Sequence, residues 1–166
     1  HPQVGVVSVG AMQSFTLVDL PGLIEGAAEG AGLGLRFLKH VQRTRLLLHM
    51  VDIAPLDEHD PLDDIRQIAA ELESHDPVLA SRDRWLVFNK CDLLDKSEAD
   101  ARCERLLSEL DWQGPHYRIA AAAQQGARQL MADIMQTLEA MDEAESEVQH
   151  AESPDELSGE WDDHVE

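Results

Sequence analysis

The chain has 166 residues, 43% of them apolar, enough for one domain with a sizeable core. No run approaches the roughly 20 apolar residues that span a bilayer, and the two cysteines, Cys91 and Cys103, are too few for a disulfide framework. The net charge of −20 is uneven: residues 142–166 carry −11 with no Lys or Arg, and residues 1–141 carry −9.

Val4–Val9 and Ser14–Val18 read as two short strands around a Gly10-Ala11 turn, the second ending on Asp19. Phe15 and Leu17 alternate with Ser14 and Thr16, as in a strand with one wetter face. Pro21-Gly22 breaks that strand. A loop dense in small residues follows (Gly26 to Gly34), then a helical stretch over 35–43. Arg45–Val51 is an almost continuous apolar run, expected as a strand buried on both faces. Asp60-Pro61 is a helix start, and Leu62, Ile65, Ile68, Ala69 and Leu72 continue at helical spacing. Trp85–Phe88 is a short buried strand, Glu98–Leu110 a helix, Tyr117–Ala121 a final strand, and Ala127–Met141 a last helix. The acidic segment 142–166 buries too little apolar surface to offset its ordering entropy and is expected to be a disordered tail.

Two strands followed by three strand–helix alternations predict an α/β layer fold with a mostly parallel sheet. Ligands of such folds sit at the carboxyl ends of strands. Asp19, Asp52, Asn89 and Ala120–Ala122 all fall there.

Three motifs occupy that rim. Asn89-Lys90-Cys91-Asp92 follows an apolar strand. Guanine presents N1–H and its 2-amino group as adjacent donors, and one carboxylate, Asp92, can accept both. Adenine cannot satisfy it and would leave the carboxylate unpaired. Asn89 would tether neighbouring loops, and the Lys90 stem would cover the base with its ammonium in water. Asp19-Leu20-Pro21-Gly22 is the second motif. An acid there holds Mg²⁺ in phosphate-binding NTPases, and the glycine N–H approaches the γ-phosphate. Ala120-Ala121-Ala122 is the third, with backbone N–H groups that could meet guanine O6. Each motif is weak alone. Their order, with the base reader about 70 residues after the metal acid and the small-residue loop about 30 further on, points to GTP binding.

The string Asp19 to Gly34 (DLPGLIEGAAEGAGLG), followed by Arg36-Phe37-Leu38-Lys39-His40, resembles the switch II region of the Obg GTPases. The resemblance runs on through Leu48–Asp52 and Arg84–Leu94 and covers roughly residues 1–140. It implies a Ras-like, P-loop NTPase-type three-layer sandwich, incomplete at its N-terminus, and a monomeric cytoplasmic GTPase. It further implies that GTP/GDP binds with Mg²⁺ at Asp19, and that the protein acts in assembly of the large ribosomal subunit. The sequence departs from the pattern in three ways. No Gly-x-x-x-x-Gly-Lys-[Ser/Thr] occurs, the switch I threonine is absent, and Ala120 stands where the family usually has Ser. The chain opens at His1, so either its start was processed or it is a piece of a longer chain. Alone it is expected to be inactive. The alternative is a nucleotide-independent interaction module derived from a GTPase.

Leu23 stands where Ras-like enzymes place the water-orienting glutamine, and Glu25 is within chain reach of that site. His49 reads as a satisfied core histidine. Arg36, Lys39, His40, Arg43 and Arg45 form a locally basic patch, either a solvated helix face or a surface for RNA.

Overall fold

The computed structural model describes residues 4–19 and 44–151. Strands β1 (Val4–Gly10) and β2 (Gln13–Val18) form an antiparallel hairpin, and β3 (Leu46–Asp52), β4 (Asp83–Asn89) and β5 (His116–Arg118) form a parallel sheet in the order β3-β4-β5. Helices α1 (Pro61–His75), α2 (Pro77–Ala80), α3 (Lys96–Glu109) and α4 (Ala127–Ala151) connect or follow the parallel strands. The switch-like string Leu20–Gly34, the helix expected over 35–43 and residues 152–166 lie outside the described residues.

Side chains alternate across the parallel sheet and define two layers. Leu86 and Phe88 of β4, with Val51 of β3, meet Leu62 and Ile65 of α1 and Ala99, Cys103 and Leu106 of α3. On the opposite face Trp85 and Val87 meet Leu130 and Ile134 of α4. Leu47 points to the first face, against Leu72 and Leu79. Trp85, Leu86, Val87 and Phe88 are all buried, as strands covered on both faces require.

The hairpin belongs to the second face without pairing to the parallel sheet. Phe15, 9% exposed, joins the Trp85–Val87–Leu130 cluster, with Val7 and Val9 packed beside it. Gln13 Nε2 donates to Glu139 Oε1 of α4 at 2.8 Å. Leu17, expected to share the drier face with Phe15, is instead 41% exposed, because nothing among the described residues covers that end of β2. The turn is Ala11-Met12 rather than Gly10-Ala11: Gly10 pairs with Gln13, and Met12 takes a positive φ of 66°. Among the described residues neither β2 nor β3 has a partner on its second edge.

Helix starts follow the local sequence. The Asp60 carboxylate accepts from the Leu62 N–H at 3.0 Å, Pro61 opens α1, and Asp63 and Asp64 stand in its first turn. The expected end of the last helix at Met141 is not observed. α4 continues to Ala151, so residues 142–151, assigned by composition to the disordered tail, are helical. Arg45, at the foot of β3, reaches across to Asp142 at 2.5 Å and Glu145 at 3.5 Å and ties that extension to the domain.

Candidate functional site: the carboxyl rim of the sheet

The parallel strands end together. Asp52 and Asn89 are register partners on β3 and β4, and β5 leads through buried Ile119 and Ala120 into the loop before α4. Three backbone bonds lace the rim: Ile119 N–H to Phe88 O (2.8 Å), Cys91 N–H to Ile119 O (3.2 Å) and Ile53 N–H to Asn89 O (3.3 Å).

Asn89 makes the expected tether. Its Oδ1 accepts the Ala121 N–H at 2.9 Å, joining segments 32 positions apart. A backbone N–H needs an acceptor, so this contact fixes which way the amide faces. Lys90 adopts a left-handed backbone, φ 64°, and turns the chain into a single 3₁₀ turn, Cys91–Leu93. That turn leaves Asp92 exposed, with no hydrogen bond or ion pair to its carboxylate among the described residues.

The alanine loop has a defined backbone. Ala120 and Gln125 exchange both N–H···O bonds, at 3.0 and 3.1 Å, and the Ala123 N–H returns to Ala120 O. Gly126 closes it at φ +73°, where an added Cβ would lie 2.7 Å from Arg118 O. The Ala120 N–H is therefore used within the loop and the Ala121 N–H by Asn89. Of the three expected donors, Ala122 N–H is the one with no acceptor among the described residues.

Some expectations are corrected. The Lys90 ammonium does not stand free in water: it pairs with Asp52, whose other oxygen accepts the Ala54 N–H at 2.9 Å. Asp52 is thus a rim residue whose strand-end position was visible but whose partner, 38 positions on, was not. His49 is buried, as expected, but not satisfied, for its Nδ1 has no partner among the described residues. Burial, reinforced by Arg84, pushes its pKa down to about 4. Arg45 of the basic patch is engaged by α4, and Arg36 to Arg43 lie outside the described residues. Cys91 packs beside Cys103 under the Cys91–Leu93 turn. Burial raises both thiols, Cys103 to about 11, so neither is disposed to form a thiolate.

Of the segment expected to meet phosphate and Mg²⁺, only Asp19 is among the described residues. Asp19 is exposed directly after β2, and Leu20, Pro21, Gly22, Leu23 and Glu25 lie outside the described residues. Among the described residues no group of three or more His, Cys, Asp or Glu side chains is placed to hold a metal. Mg²⁺ is commonly held by one or two carboxylates together with water and substrate phosphates. A single exposed carboxylate at a strand end fits that donor set.

A three-layer α/β domain with its polar loops gathered at the strand ends belongs to the nucleotide-binding class of folds. The sequence matches the 50S ribosome-binding GTPase family over residues 1–90, more than half of the chain, and the protein belongs to that family. The matched region contains Asp19, Asn89 and Lys90; Asp92 and the alanine loop follow it. The fold is similar to the crystal structure of a Plasmodium falciparum chain assigned as nucleolar GTP-binding protein 1. The TM-score is 0.51 at 15% identity, covering 91% of this chain and 76% of that one. Family membership favours a GTP-binding reading over a nucleotide-independent interaction module. Among the described residues no helix is long and apolar enough to cross a membrane.

Proposed function

We propose that this chain carries the guanine-reading part of an Obg-type GTPase that works in the cytoplasm, as a monomer, in assembly of the large ribosomal subunit. Asp92 accepts the guanine N1–H and 2-amino group, Ala122 N–H meets O6, and Asn89 fixes the distance between those two elements. Lys90 leaves Asp52 to lie over the base, or keeps that pair and presents only its stem. Asp19 holds Mg²⁺ through water, and Leu20, Pro21 and Gly22 follow the γ-phosphate. Bound Mg²⁺ would supply charge neutralisation at the phosphates; the residues of this chain would orient it and exclude other bases.

The observation that carries this reading is the Asn89–Ala121 bond. It couples the motif suited to the guanine donors with the loop suited to O6, while Asp92 and the Ala122 N–H remain without partners among the described residues. The Obg assignment rests further on the Asp19–Gly34 string, and the ribosomal role on the family match.

The sequence contains no Gly-x-x-x-x-Gly-Lys-[Ser/Thr] to cradle phosphates, so the 166-residue chain binds GTP weakly and does not hydrolyse it. Titration of fluorescent GTP with Mg²⁺ tests both parts of the reading. Supplying a phosphate-binding loop at the N-terminus should produce tight, guanine-selective binding, and equal affinity for ATP in that form would refute the assignment of Asp92.

A further inference from the structure

Asp52 lies outside the three motifs, yet both oxygens of its carboxylate are engaged on the rim. Oδ1 accepts the Ala54 N–H at 2.9 Å, and Oδ2 accepts from Lys90 Nζ. The segment behind it is fixed. Ile53 is fully buried in the cluster of Leu62, Ile65 and Cys103, and its N–H donates to Asn89 O at 3.3 Å. Its carbonyl accepts from Arg102 Nη1 at 2.8 Å, and Arg102 is braced in turn by Glu98. The carboxylate at the end of β3 is therefore oriented by its own loop before Lys90 reaches it.

Lys90 is constrained from the other end. Its backbone, φ 64° and ψ 29°, lies in the left-handed region, which costs an L-residue about 1–2 kcal/mol. Such strain persists where the surroundings over-determine a residue. Here Asn89 is tied to Ala121 on one side, and the Cys91 N–H to Ile119 O on the other. Lys96 pairs within one helix, with Asp100 four positions on, whereas Lys90 reaches across two strands to a residue 38 positions away. With Lys90 45% and Asp52 36% exposed, the pair adds at most about 1 kcal/mol of stability. The sheet does not depend on it, for β3 and β4 are in register from Leu46–Asp83 to Asp52–Asn89 and bury residues on both faces. What the pair fixes is the course of the Lys90 stem.

Given the guanine reading of Asp92 and Ala122, on which this rests, we infer that Asp52 is a positioning residue of the site. It keeps Lys90 while the base binds, so that the base meets the methylene stem and not the ammonium. A stem held before the ligand arrives has already given up its rotamer freedom. The base then gains apolar cover without that ordering cost. The ammonium, occupied by a carboxylate, serves the base and not a phosphate. Asp52 acts through Lys90 and touches no part of the nucleotide itself.

NMR of the full 166-residue chain tests this with GMP and AMP, probes of equal charge that differ in the base. GMP should give saturable shifts at the Asp92 and Ala122 amides and at the Lys90 Hε resonances, and AMP should not. Asp52→Asn keeps an oxygen for the Ala54 N–H but loses the charge that holds Lys90. It should weaken GMP about fivefold, the fold-change for ordering one long side chain on binding, while amide exchange at Ala54 and Ala121 stays at wild type. Lys90→Met keeps an unbranched stem without the ammonium, and in that background Asp52→Asn should add no further loss. A merely structural role for Asp52 would not produce that non-additivity. Wild-type GMP affinity in Asp52→Asn, tighter binding (the result if Lys90 leaves Asp52 for the ligand), or an equal further loss in the Lys90→Met background would overturn the role of Asp52 and leave the guanine reading standing. Equal responses to GMP and AMP in the wild type would refute the guanine reading, and the role of Asp52 with it.

Discussion

Removing the Asn89 side chain should loosen the alanine loop and leave the sheet intact. Asn89→Ala deletes the 2.9 Å acceptor of the Ala121 N–H but keeps the Asn89 carbonyl, which still receives the Ile53 N–H. The loop is exposed, so water can take over the lost bond, and the net cost is that of one ordinary hydrogen bond, about 1 kcal/mol. That corresponds to about fivefold faster local opening. Amide exchange resolved by NMR should show that increase at Ala121, with a smaller effect at Ala122, and none at Leu86–Phe88 in the buried strand. Asn89→Asp supplies an oxygen at the same place and should keep the protection near wild type. In a form that also carries a phosphate-binding loop, Asn89→Ala should raise the Kd for GTP more than the fivefold from the loop alone, because Asp92 and the Ala122 N–H would no longer hold a fixed spacing. Unchanged exchange at Ala121 in Asn89→Ala, or equal loss in the Ala and Asp variants, would show that Asn89 does not position the loop.

Asp92→Asn, in the same loop-completed form, replaces an acceptor by an amide and should weaken GTP by about 10- to 100-fold. It should also relax selectivity toward xanthine nucleotides, whose carbonyl can accept the new N–H; unchanged GTP over XTP preference in competition binding would exclude Asp92 as the base reader. His49 is held neutral, with its pKa near 4 against 6.5 for the unperturbed side chain. The unfolded chain therefore binds the additional proton first, and stability falls as pH drops through this window, by about 3 kcal/mol in total. Urea unfolding of wild type and His49→Leu between pH 7 and pH 4 should show this component lost in the variant; parallel pH profiles would refute it. Phe15→Ala removes the hairpin's buried anchor and should cost about 3 kcal/mol. Hydrogen exchange should then rise across Val4–Val18 while β3–β5 keep their protection, and uniform retention across the hairpin would mean that Phe15 is not what docks it.

Periodicity revealed most of the second half of the domain. The apolar runs at Arg45–Val51 and Trp85–Phe88 appear as β3 and β4 with ends shifted by one or two residues, and Asp60-Pro61 caps α1 as its chemistry requires. Short elements were less visible. α2 is one turn held by the Asp76 cap and the burial of Leu79, too brief to establish a period. β5 is three residues long, and Ala120 and Ala121, expected in that strand, instead begin the loop that Gly126 closes. The acidic segment misled for a different reason. Composition describes what a segment can bury, but residues 142–151 are rich in helix formers and follow an established helix, so they extend it without needing a core face. Arg45, nearly 100 positions earlier, then pairs with two of their acids. The same limit hid the Lys90–Asp52 pair and the carboxylates held by Arg105 and Arg118, since long-range ion pairs leave no local pattern.

The loops proposed to read the base and the acid proposed to hold Mg²⁺ are held by different means. Asn89, the turn to Asp92 and the alanine loop are joined by backbone bonds between β4 and β5, two neighbouring strands of one parallel sheet with buried residues on both faces. The backbone and side-chain bonds that join them lie within residues 88–125, and Leu130, Ile134 and Phe15 cover the second face of the sheet behind them. Asp19 instead follows a strand of a separate hairpin that reaches the domain through Phe15, Val7, Val9 and the Gln13–Glu139 bond. No strand pairing among the described residues fixes the distance from Asp19 to Asn89. In the proposed reading, selectivity for a base is set by the β4–β5 loops, while Asp19, proposed to hold Mg²⁺, is positioned through the side-chain contacts of its hairpin. Sensing a γ-phosphate needs a segment whose position depends on the phosphate, attached to one whose position does not.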